Sequence, residues 1–210
     1  MVMEEVSERH RLSFEYVHKL LSEYRPYCDV SSIKSKSPLT ILHYDYCLHY
    51  ILSRYNLTSL VSPFSILELG CGYGFFVDFL TKLGYSEAVG IDIRKKAIRY
   101  ARKFCINVEL VDAFKLTERF ETDSLDLILA INFFHRGLET RFNDVETLRQ
   151  WVLTIMRQAY DALKQQGDFF CTSEISLDFA AIKKIGFKLK YNIEKCSFYS
   201  GYKQVLVFEK

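Results

Sequence analysis

The chain has 210 residues, 49% of them hydrophobic, with 17 Phe and 14 Tyr, enough apolar material for one sizeable core and little room for a second. Its net charge of +2 gives no global field of the kind that announces a nucleic acid or a membrane surface. The six cysteines carry no CxxC pair and several fall in apolar runs, which reads as reduced, buried thiols and suggests neither a disulfide framework nor a metal site.

In chain order, MVMEEVSERH is charged and lacks the apolar centre of a signal peptide, and no apolar run approaches membrane-spanning length. The expectation is a cytoplasmic protein with no membrane partner. Val6, His10, Phe14, Val17, Leu20, Leu21 and Tyr24 recur at helical spacing, so residues 4–24 are expected as an amphipathic helix that stops before Pro26. Ser37 and Pro38 form an N-cap and first-turn pair for a second helix through about Asn56. Together residues 1–60 read as a helical cover, part of the same domain as a core spanning 61–210.

Residues 64–76, FSILELGCGYGFF, place a short apolar run directly before three glycines and then a helix beginning near Phe75. Ile66, Leu67 and Leu69 suit a buried parallel strand. Gly70, Gly72 and Gly74 can take backbone angles closed to other residues, and a helix start beyond them offers unpaired N–H groups, so this stretch reads as a cofactor cradle. The helix is expected to end at Gly84. The strands that follow are AVGIDI (88–93), INVELV (106–111) and SLDLILAI (124–131), with the helix RKKAIRYARKF between the first two and the loop NFFHRG after the last. Asn143 and Glu146 suggest a capping box for a long helix to about Lys164, ended by Gly167. DFFCTSE reads as a fifth strand, DFAAIKKIG as a short helix, and FKLKYNIEK and YKQVLVFEK as a closing pair. The alternation gives an α/β fold: a doubly wound, seven-stranded, mostly parallel sheet with a C-terminal antiparallel hairpin, preceded by the two N-terminal helices.

The glycines are spaced GxGxG, with Glu68 two residues before the first. A dinucleotide site wants GxGxxG, so a nicotinamide oxidoreductase is disfavoured. The spacing instead resembles motif I of the class I S-adenosylmethionine (SAM)-dependent methyltransferases, whose sheet also closes with a reversed strand. The resemblance covers about residues 64–210 and implies SAM as cofactor and S-adenosylhomocysteine (SAH) as product. It implies that Gly70, Gly72 and Gly74 line the cofactor with their main chain and that Glu68 faces its amino end. Asp92, 22 residues after Gly70, would accept the ribose hydroxyls beside Ile93. Asp112 and Ala113 would meet the adenine, and Asn132 would stand beside the methyl group.

Such enzymes work mainly by aligning a lone pair with the S–CH3 bond and excluding water. The chain lacks the (D/N/S)PP(Y/F/W) tetrapeptide of many amino-methylating enzymes, and INFFHRG is similar to the loop of small-molecule methyltransferases. A small-molecule acceptor is therefore expected, methylated on oxygen or nitrogen, with His135 as the candidate base, since imidazole suits proton removal near neutrality. Basic residues gather at Arg94, Lys95, Lys96, Arg99, Arg102 and Lys103, but acidic residues nearly balance them over the chain, and they read as a solvated face. An RNA or protein methyltransferase, or a non-catalytic SAM-binding partner subunit, is the alternative.

Overall fold

Ile66–Leu69 (β1) is buried along its whole length and is an interior strand of a seven-stranded sheet. In the computed structural model the described residues are 64–194 without Leu83, Phe104, Ile106 and Asn143, then 204–210, together with Cys47 and Ile51. The chain divides into two compact units, Met1–Leu60 and Val61–Lys210. In the first, Cys47 and Ile51 are helical and buried; otherwise the two expected N-terminal helices lie outside the described residues.

The second unit alternates strand and helix. After β1 come α1 (Phe75–Lys82), β2 (Ala88–Asp92), α2 (Lys95–Ala101), β3 (Val108–Leu110) and a short α3 (Leu116–Arg119) entered through a 3-10 turn at Ala113–Lys115. Then follow β4 (Leu125–Phe134), α4 (Val145–Ala162), β5 (Leu163–Ser173), α5 (Phe179–Ile185), β6 (Lys188–Glu194) and β7 (Gln204–Glu209). The sheet order is β3-β2-β1-β4-β5-β7-β6. The first five strands are mutually parallel, and β7 inserts antiparallel between β5 and β6, as the apolar runs and the closing pair lead one to expect. Glycine ends α1: Gly84 takes φ +103° and donates to the Thr81 carbonyl, while Tyr85 N–H reaches back to Leu80 O.

Three local expectations are corrected. The cap of α4 is Asp144, whose carboxylate accepts from Thr147 N–H and hydroxyl at 2.7 Å each. A short acidic side chain one residue later does the work expected of Asn143, which lies outside the described residues. The helix also stops at Ala162 instead of about Lys164, because Leu163 is already extended and pairs with Leu125. Gly167 therefore ends no helix: it sits in a bulge where residues 164–167 of β5 face the single residue 126 of β4, and Gln166 there takes φ +64°. Finally, β4 continues through Phe134, so Asn132 and Phe133 lie in the strand and not in a loop.

Aromatic rings cement the far side of the sheet. Phe187 stands 5.2 Å from Tyr160, 6.0 Å from Phe169 and 5.9 Å from Phe208, centroid to centroid. Gly186 makes this possible, because a Cβ there would fall 2.5 Å from the Tyr160 ring and its φ is +130°. Gly186→Ala is expected to cost about 1 to 2 kcal/mol of stability by chemical denaturation, with cofactor affinity unchanged.

Candidate functional site

The four strands β3-β2-β1-β4 run in one direction, so their carboxyl ends share one edge of the sheet. Glu68 is level with Gly90 of β2 and Leu129 of β4, and Asp92 is level with Leu110 of β3. The chain moves outward from β1 to β3 and then returns to β4 on the other side, and ligands of open α/β sheets bind at such a reversal. Glu68, Gly70, Asp92, Asp112 and Asn132 all stand at or just past this edge.

Gly70, Gly72 and Gly74 have φ of +69°, +59° and +72°, the left-handed region that side chains disfavour. Space matters as well as angle. A Cβ on Gly74 would lie 2.9 Å from Val108 and one on Gly70 2.8 Å from the Phe133 ring. The loop is pinned to β2 by Cys71 N–H donating to Ile91 O at 2.9 Å. Gly90 lets the two approach, since a Cβ there would be 2.6 Å from both Cys71 and Val77. Burial, and then the nearby Glu68 and Asp92 carboxylates, push the Cys71 thiol well above its ordinary range, so it is an inert filler between two acids.

Asp92 is 5% exposed and is bonded on both carboxylate oxygens. Gly72 N–H donates to Oδ2 at 2.9 Å and Arg94 N–H to Oδ1 at 2.7 Å. The Arg94 guanidinium adds a fork, Nε to Oδ1 at 3.1 Å and Nη2 to Oδ2 at 2.9 Å. Burial by itself would raise this carboxyl; the hydrogen bonds from Arg94 and Gly72 and the Arg94 charge outweigh it and hold Asp92 below the usual range. It is therefore ionised throughout the physiological range, an acceptor aimed at the glycine loop.

Around it the edge is apolar and open. Ile93 is 65% exposed and Phe114 37%. Asp112 lies past the end of β3 and accepts from Phe114 N–H at 3.0 Å, which starts the 3-10 turn, with Ala113 buried behind it. On the other side of β1, three residues of β4 (131–133) face one residue of β5 (172) in a bulge. Asn132 takes φ +56° there and its N–H donates to Thr172 Oγ1 at 2.8 Å. The bulge turns Phe133 over Gly70. Phe133 stacks on Trp151 at 5.5 Å, and Trp151, the chain's sole tryptophan, also meets Phe114, Phe134 and Phe142 within 6.2 Å. His135, half-buried, follows directly, its ring against Gly137, where a Cβ would lie 2.8 Å away.

The structure thus brings Gly70, Gly72, Asp92 and the turn of β4 to one edge. Sequence reasoning missed Arg94 and Phe133 as members of it. Arg94 left one signal: it is the N-cap residue of α2, a position that favours Ser, Thr, Asp or Asn, and it makes no cap bond with its side chain. Among the described residues no cluster of His, Cys, Asp or Glu could hold a metal ion, and no helix is long and apolar enough to cross a membrane.

A family model for the methyltransferase domain matches residues 66–167. Solved structures share the fold. An S-adenosylmethionine-dependent methyltransferase from Mesorhizobium loti has a TM-score of 0.57 at 17% identity, over 80% of this chain and 98% of that one. A SAM-dependent methyltransferase from Archaeoglobus fulgidus gives 0.51 at 15% identity, over 79% and 94%. TrmN from Thermus thermophilus gives 0.55 at 21% identity, over 77% of this chain and 47% of that one. No curated protein matches the sequence. Residues 66–167 thus match a methyltransferase domain, and the strand order and glycine cradle are those expected of a core that binds S-adenosylmethionine. The residues present fit that cofactor: a loop with bare main chain, an ionised acceptor beside it, and exposed apolar side chains flanking both.

Proposed function

We propose that the protein methylates an oxygen or nitrogen of a small-molecule acceptor at the carboxyl ends of β1 and β4. The observation that carries this reading is the aromatic wall of Phe133 stacked on Trp151, which bounds the glycine loop on the β4 side and is followed at once by His135. A wall of rings with one imidazole suits a compact, partly apolar acceptor whose nucleophilic atom loses a proton.

In this reading Asp92 accepts the two ribose hydroxyls, and Ile93 covers one face of the adenine. Asp112 and the Ala113 backbone meet the adenine edge. The main chain at Gly70, Gly72 and Gly74 lies against the cofactor, and Glu68, buried at the end of β1, faces its amino group. SAM supplies a methyl group already activated on a sulfonium. The protein therefore has to align the acceptor, exclude water and remove a proton. Asn132, held in its strained backbone by Thr172, orients the turn of β4, and a nitrogen of the His135 ring takes the acceptor's proton.

One observation favours a second reading, an RNA acceptor. Lys95, Lys96 and Arg99 are exposed on α2 and have no ion-pair partner among the described residues. Labelled methyl transfer from SAM into cell extract, fractionated into metabolites, RNA and protein, separates the two. Label in the metabolite fraction is expected. Label in RNA, lost as salt is raised, would replace the first reading by the second.

A further inference from the structure

Both carboxylate oxygens of Asp92 are already bonded by the chain itself. Its two oxygens carry the Arg94 guanidinium fork at 2.9 and 3.1 Å, and Arg94 Nη2 lies 3.2 Å from where a Cβ on Gly72 would stand. The guanidinium therefore fills the space between the carboxylate and the bare main chain of the loop. It does so from a long side chain that is 61% exposed and is free to leave. The fork is not needed to hold Asp92 in place, since Gly72 N–H and Arg94 N–H donate to the same two oxygens from the backbone.

We propose that Arg94 is an internal competitor for the cofactor: its guanidinium occupies the hydroxyl-binding side of Asp92 in the free protein and must swing out before a ribose can be bound. The inference rests on the reading of Asp92 as the ribose anchor. A carboxylate has few lone pairs, and two of the best are spent on Arg94 until a vicinal diol replaces it. The affinity for any ribose ligand is then the intrinsic affinity reduced by the fraction of molecules in which Arg94 has left. An exposed, forked ion pair holds the closed arrangement in most molecules but not overwhelmingly. Arg94 thus sets cofactor affinity while contributing no bond to the ligand. It also makes that affinity sensitive to salt, which weakens the fork.

Titration calorimetry of the full chain with SAH tests this, because SAH lacks the sulfonium charge and any gain cannot come from relieving repulsion between two cations. Arg94→Ala and the uncharged, longer Arg94→Gln are expected to bind SAH about three- to tenfold more tightly than the parent. The parent's affinity should rise with added salt while that of the variants stays flat. Unchanged or weaker binding in both variants would overturn the proposal and make Arg94 a spectator or a direct ligand contact. Asp92→Ala, run alongside, separates the two layers. If it loses affinity while the Arg94 variants fail to gain, the ribose anchor stands and the competitor falls; if it loses nothing, both fall.

Discussion

Replacing Asp92 by Ala is expected to weaken SAH binding about ten- to a hundredfold. The estimate is the loss of a charged acceptor for two hydroxyls, roughly 1.5 to 3 kcal/mol. Two other bonds disappear with it, from Gly72 N–H and Arg94 N–H, so part of the loss is loosening of the glycine loop itself. Asp92→Asn separates these contributions, because one amide oxygen can still receive the Gly72 N–H while the charge is gone. It should fall between the parent and Asp92→Ala. Calorimetry on chains shown to be folded by circular dichroism decides the matter. Parental affinity in a folded Asp92→Ala would move the ribose elsewhere on the edge.

The other large effect is expected at His135. With an acceptor in hand, His135→Ala should lower kcat by about a hundredfold or more while SAH affinity stays at the parent's level. The loss should shrink for an acceptor that is already ionised, since no proton then has to be taken. A uniform loss across acceptors of different acidity would make His135 a positioning residue. Gly137 offers an independent handle, because a Cβ there would lie 2.8 Å from both Cε1 and Nδ1 of His135. Gly137→Ala should displace the ring and reduce kcat in the same acceptor-dependent way, with the imidazole still present.

What was legible in the sequence follows from where the local signal is strong. Leu67, Leu69, Ile91 and Leu127–Ile131 are buried because both faces of a parallel strand are covered, and a continuous apolar run says so. The glycine trio and the acids Glu68, Asp92 and Asp112 stand at or just past the carboxyl ends of their strands, where the apolar runs that mark those strands stop. The errors fall where two local signals compete. Gly167 and the polar KQQ before it look like the end of a helix, but Leu163 already pairs with Leu125, and the surplus residues are taken up in a bulge. In the sequence Phe133 and Phe134 look like loop because Asn132 breaks the apolar run. In the fold, a left-handed Asn132 bulges the strand without ending it, and that turns Phe133 over Gly70. Arg94 is one cation in a basic run, and no periodicity separates the one that folds back on Asp92 from the other five.

A crystal structure of the protein soaked with SAH tests the central claim most directly. The account predicts the ribose hydroxyls at hydrogen-bond distance, about 2.5 to 3.0 Å, from the Asp92 carboxylate. It predicts the adenine against Ile93 and Ala113, and the Arg94 guanidinium drawn off Asp92. A ribose bound away from Asp92, with the Arg94 fork intact beside it, would contradict the account.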